Sequence, residues 1–147
     1  LRKIFWTLVI LFVFNFLCCK SPADPGIEAT LEEEAALKKA DIRVTVEPNP
    51  IAYFNNNVYF KAIFEEYDGV AAELQKLWML TYCDGTDYEY SRRSFGWMCP
   101  KTLRAKGRLE LDFAFYAGWL CYRLDVQARF LDENGHEFDV RKRFSVK

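Results

Sequence analysis

The sequence predicts an all-β domain, an antiparallel sandwich over residues 41–147, and three observations carry that prediction. From Asp41 onward apolar residues recur at every second position, the period of a half-buried strand. Aromatic residues make up 17% of the 147-residue chain, with 13 Phe and 8 Tyr, and aromatic side chains favour strands. The alternating runs are short and separated by turn-forming residues, which argues for antiparallel pairing. A chain of this length has room for one domain with appendages. Its 28% charged and 51% hydrophobic residues are ordinary for a globular protein, and its net charge of −1 offers no basic face for nucleic acid.

The N-terminus reads as an export address. Arg2 and Lys3 precede the apolar run "IFWTLVILFVFNFL", Ile4 to Leu17, which is shorter than the ~20 residues of a spanning helix. The run ends on Cys18 and Cys19. A cysteine directly after such a segment resembles the lipobox of bacterial lipoproteins, in a relaxed form with Phe16 three places upstream of Cys19. The resemblance implies a signal peptide over 1–18 and a diacylglycerol on Cys19. It also implies an exported chain held on a bacterial membrane, the outer membrane by expectation, on its periplasmic or surface face. An uncleaved signal anchor is the alternative. Residues 1–18 hold two basic and no acidic side chains, so 18 basic against 21 acidic groups would remain, a net charge of −3. The sequence opens on Leu1, which fits either an alternative start codon or a truncated chain.

Residues 19–40 read as a lipidated tether with a short helix. Pro22, Pro25 and Gly26 discourage regular structure. Thr30 and Glu33 then suit a capping box ahead of Leu31 to Lys39. Acids in the first turn and Lys38-Lys39 in the last suit the helix dipole.

The strands follow in order. "DIRVTVEPNP" alternates Ile42, Val44 and Val46 and is expected to end at Pro48 and Pro50; "NVYFKAIFEE" aligns Val58, Phe60, Ala62 and Phe64. "KLWMLTYC" puts Trp78, Leu80 and Tyr82 on one face, and "RLELDFAFYA" aligns Leu109, Leu111, Phe113 and Phe115. "YRLDVQARF" and "EFDVRKRFSV" complete the set. A two-residue turn at Asn134-Gly135 would set inward Phe130 against outward Asp139. A three-residue loop, Glu133-Asn134-Gly135 with Gly135 left-handed, removes the conflict. It pairs Phe130 with Phe138, Ala128 with Val140 and Leu124 with Phe144, and on the outer face Arg129 with Asp139 and Asp125 with Arg143. Lys142, opposite Val126, is the one misfit.

Trp78 on a central strand and "YRLDVQARFLDENG" leading into a final hairpin resemble an immunoglobulin-like or PKD-like module. That resemblance implies an Ig-like sandwich of about seven strands over 41–147, with Tyr122 as its corner tyrosine. Leu124 stands where that family's strand-F cysteine would be, so the inter-sheet disulfide is absent. Cys83, Cys99 and Cys121 remain, and in an oxidising compartment two of them are expected to pair. Cys83 with Cys99 would close the crossover. Cys83 with Cys121 would join matching ends of neighbouring strands, both on the outer face. The spacing holds no CxxC, so no metal site is expected.

No catalytic constellation is visible: His136 is the only histidine and flanks a turn, and phosphate-binding glycine loops are missing. No cofactor is expected. "DENGHEFD" has a weak calcium-loop flavour that the hairpin already explains. The crossover Asp84 to Gly107 stands out, because Tyr88, Tyr90, Arg92, Arg93, Phe95 and Trp97 mix aromatic and cationic groups of the kind that anchor interfaces. The same residues also suit an edge strand folded over the sandwich rim. The expectation is a membrane-anchored envelope lipoprotein whose domain binds a protein or glycan partner without catalysis. The alternative is a structural accessory or spacer subunit of an envelope complex.

Overall fold

The structure, a computed structural model, describes residues 38–83 and 87–147, which belong to a compact unit running from Lys38 to Lys147. The signal segment 1–18, Cys19 and most of the tether lie outside the described residues. So does the expected helix, apart from Lys38 and Lys39, which are not helical.

The unit is all-β. Its strands are β1 Ile42–Phe54, β2 Asn57–Glu66, β3 Ala72–Cys83, β4 Glu89–Ser94, β5 Lys101–Leu103, β6 Arg108–Tyr116, β7 Cys121–Asp132 and β8 Glu137–Ser145. A 3-10 turn, Gly96–Met98, lies between β4 and β5. They form two antiparallel sheets that do not close: β1-β2-β6, and β4-β3-β7-β8 with β5 also on β3. The crossover thus supplies two strands, β4 and β5. β1 does not stop at its prolines. Proline has no N–H for the ladder, so pairing with β2 breaks between Glu47 and Ala52 and resumes to Phe54.

The core lies between the sheets. β1 and β2 contribute Val44, Val46, Val58, Phe60 and Phe64, and β7 contributes Leu124, Val126, Ala128 and Phe130, all buried. On β3 Trp78, Leu80 and Tyr82 do share one face, and it is the outer one. Met79 and Leu77 pair with the inward Val126 and Ala128 and enter the core, whereas Trp78, Leu80 and Tyr82 pair with Gln127, Asp125 and Arg123 on the outer face. Leu80 and Tyr82 are nonetheless buried. Both sides of this central strand are covered, which is why its apolar residues run continuously.

The last hairpin has the register read from the sequence: Phe130 pairs Phe138, Ala128 pairs Val140 and Asp125 pairs Arg143. Gly135 takes φ +84 in the loop, a conformation glycine adopts without steric cost. Lys142 does pair with inward-facing Val126, on an edge strand, and reaches out so that its ammonium lies 5.5 Å from the Phe144 ring centre.

The registers define two ends. One, the base, collects the start of β1 and the β2–β3, β5–β6 and β7–β8 connections. Two buried carboxylates organise it. Glu66 accepts backbone N–H bonds from Asp68, Gly69 and Lys106, each 2.8 Å. Asp132 accepts from the backbone of Ala40, Asn134 and His136 and contacts His136 Nδ1 at 3.1 Å, which leaves its oxygens fully engaged. Asp139 is taken by Arg129 at 2.7 Å. The other end, the tip, collects the β1–β2, β3–β4 and β6–β7 connections and the end of β8.

Candidate partner-binding surface

The residues expected to form one patch are strung along the rim instead. β4 is the edge of its sheet, and its two faces diverge. Arg92 pairs with Leu80 on the outer face and salt-bridges Glu89 at 3.2 Å, while Arg93 pairs with Met79 on the inner face and stacks on Phe115, 5.2 Å from its ring centre. Two residues on from Arg93, Phe95 follows the same inward alternation. It is buried, with Phe113 at 5.0 Å and Phe115 at 5.3 Å between ring centres. Phe95 is therefore a core residue and not a surface anchor. Trp97 sits on the 3-10 turn beyond the strand, 79% exposed. Tyr88 and Tyr90 lie at the tip.

The tip joins Tyr88, Tyr90 and Tyr122 to Phe54, Tyr116, Trp119 and Leu120, which the sequence reading passed over. Phe54 is 67%, Tyr88 84%, Trp119 72% and Leu120 53% exposed, and Tyr90, Tyr116 and Tyr122 are also exposed. The loop from Ala117 to Leu120 is tied to β1 and the β1–β2 turn. Ala117 N–H donates to the Asn56 carbonyl at 2.8 Å, and Tyr53 donates its hydroxyl to the Gly118 carbonyl at 2.7 Å. The Tyr90 ring covers Gly118, where a Cβ would stand 2.5 Å from the ring, and Gly118 has φ +90. Leu120 holds φ +53, a left-handed conformation rare for a branched side chain. Such conformations persist where the surroundings enforce them. Here the result is a held turn that presents Trp119 and Leu120 to solvent. Beside it runs a groove of ≈ 490 Å³ lined by Tyr53, Leu120, Tyr122, Arg123 and Lys147 among others. Tyr122 thus faces this groove, exposed, and does not fill a buried corner. The missed signal was "AGWLC": a tryptophan and a leucine in a turn, where polar residues are usual.

On the outer face of the larger sheet lies a second feature, the carboxylate of Asp125. It is buried, accepts from Arg141 at 2.6 Å and from Arg143 at 2.7 Å, and takes the Tyr82 hydroxyl at 3.2 Å. Arg143 also lies over the Tyr82 ring at 4.4 Å. Burial alone would raise the Asp125 carboxyl, but the hydrogen bonds from Arg143 and Arg141 outweigh it and hold the group below the usual carboxylate range. The sequence reading placed Asp125 with Arg143 on the outer face. The pairing is present, but the carboxylate is covered by the two guanidinium groups and Tyr82.

Cys83 and Cys121 stand opposite each other on β3 and β7, at the foot of the tip loops. Both are buried in the core rather than outward: Cys83 continues the inner file of Leu77 and Met79, and a register shift that skips Tyr122 turns Cys121 inward. Burial, followed by the repulsion a charged Cys83 would exert, pushes the Cys121 thiol up to about 11, and the thiol donates to the Arg123 carbonyl at 3.4 Å. Cys99 lies apart, beyond the 3-10 turn, and burial raises it too. Among the described residues no three His, Cys, Asp or Glu side chains converge as metal ligands would.

No protein-family model matches the sequence, and no curated protein is recognisably similar. Solved structures do resemble it. A Bordetella pertussis structure provisionally named ApaA matches at TM-score 0.53 and 14% identity, over 74% of this chain and 96% of its own. The structural genomics target SoR45 matches at TM-score 0.51 and 16% identity, over 71% of this chain and 86% of its own. At such identities the likeness is one of fold.

Proposed function

We propose that the protein is a membrane-anchored envelope lipoprotein, lipidated on Cys19, whose immunoglobulin-like domain holds a protein or glycan partner and performs no chemistry of its own. The strand order supports the Ig-like reading: β1-β2-β6 against β4-β3-β7-β8 corresponds to strands A-B-E against C′-C-F-G of that architecture. Trp78 departs from it by facing outward. The non-catalytic reading rests on the buried carboxylates Glu66, Asp125 and Asp132, each of which is committed to holding loops or strands together.

The observation that carries partner binding is the aromatic tip. Trp and Tyr on a preorganised turn supply contact area at little entropic cost and dominate interface hot spots. The tip also lies at the end of the domain away from β1's start, where the chain comes in from residue 38. A tether at that end would leave Phe54, Trp119 and Leu120 facing outward to a partner.

The test places a photoreactive amino acid at position 119 in cells, with position 59 on the outer face of the smaller sheet as the control. A specific adduct from 119 that free partner or isolated envelope glycan competes away is the expected result. Adducts from neither position, or equally from both, would favour the spacer reading. The anchor is tested separately by the intact mass of the membrane-extracted chain. A mass beginning at Cys19 with diacylglycerol and an acyl chain is expected, and an unprocessed mass would mean a signal anchor.

A further inference from the structure

We propose that Cys83 and Cys121 are a cross-link site, joined to each other and not to Cys99, and that the bond staples the two central strands at the foot of the aromatic tip. Three observations converge. The residues are direct partners across β3 and β7. Directly opposed residues of an antiparallel pair keep Cα atoms about 4.5–5.5 Å apart, inside the range a disulfide spans. Both side chains are buried in the core at that point. Cys99 is followed by Pro100 and β5, whose Lys101 pairs with Leu74 far down β3 toward the base, so the crossover holds it away from the pair.

The chemistry balances with a disulfide-bearing oxidant. One cysteine, as its thiolate, attacks a sulfur of the oxidant and forms a mixed disulfide. The second thiolate then displaces the oxidant's remaining sulfur. Two S–H bonds are lost and one S–S bond forms, while the oxidant accepts two electrons and two protons and leaves as two thiols. Both thiols are buried in the folded unit. The exchange therefore belongs to folding, before the core closes, and the finished bond is shielded from reductant.

The location gives the bond its consequence. Cys83 leads directly into the β3–β4 connection that carries Tyr88, and Cys121 directly follows Leu120. A covalent tie at that point fixes the separation of the two loops that present the tip.

The experiment uses the full chain, refolded in detergent with oxidised glutathione, then alkylated under denaturing conditions and mapped by proteolysis and mass spectrometry. The expected result is one linked peptide pair containing Cys83 and Cys121, with Cys99 alkylated. The thermal midpoint should fall by roughly 5–15 °C on reduction. Cys121→Ser should abolish the link without creating one to Cys99, and a Cys99→Ser chain should still form it. Linkage of Cys99 to either partner, or full alkylation of all three, would overturn the proposal. The proposed export supplies only the oxidant. A chain that links on refolding but is recovered reduced from cells therefore counts against the exported address and in favour of the pair.

Discussion

At the scale of single residues, Asp125 shows how a buried charge is made tolerable. Two arginines and a tyrosine hydroxyl satisfy its oxygens, and the arginines keep their outer sides in water. Asp125→Asn keeps the shape but turns an amide donor toward guanidinium donors. Urea denaturation at neutral pH should show a loss of about 1–3 kcal/mol. The carboxyl's folded pKa is depressed, so its contribution is fully present above the unfolded value of about 4 and is lost as pH falls through the lower folded value. The gap between wild type and Asp125→Asn should therefore narrow below about pH 4. A gap independent of pH would mean the carboxylate acts through packing alone. Phe95 and Trp97 give a second contrast. Phe95→Ala removes a ring packed on Phe113 and Phe115 and should cost about 3–5 kcal/mol, whereas exposed Trp97→Ala should stay within about 0.5 kcal/mol.

At the scale of elements, the turn before β7 is built on glycine. Gly118→Ala meets both the left-handed backbone and the Tyr90 ring. It should destabilise the domain by about 1–3 kcal/mol, read as a lowered thermal midpoint. Adding Tyr90→Ala should recover only the part due to the ring, which a double-mutant cycle separates from the backbone part. The elements also show what the sequence made legible. The β7–β8 register was readable because period, turn chemistry and opposite charges agreed on one loop length. The facing of β3 was not readable because it is buried on both faces, so its apolar residues carry no alternation to read. Cys83 and Cys121 do stand at matching ends of neighbouring strands, but on the inner side and not the outer, since neither the facing of β3 nor a bulge in β7 leaves a mark in composition. Phe95 stood among the candidate partner-binding residues, and its burial agrees instead with the alternative of an edge strand folded over the sandwich rim. Of the tip only Tyr88 and Tyr90 were singled out for partner binding, because Phe54, Trp119 and Leu120 come from turns distant in sequence that only the topology brings to the same end.

At the scale of the whole molecule, partner binding and stability should be separable. Trp119→Ala with Leu120→Ala removes exposed side chains from a turn held by other residues. The thermal midpoint should change by no more than a few degrees while the photo-adduct or partner retention falls at least tenfold. A matching loss of folding would mean that the tip serves the domain and not a partner. The sheets also end in open edges, and β8 borders solvent from Glu137 to Arg143 before β1 covers its end through Ile51 and Tyr53. An open edge invites strands from other chains. Lys142 stands in the inward file of that edge, so a strand docking there would have to bury an ammonium or force it aside. Lys142→Val should leave the fold intact yet promote concentration-dependent aggregation on heating, read by light scattering. The residue that fitted the sandwich least well in the sequence thus acts as a guard on its border, keeping neighbouring copies of the chain from joining edge to edge.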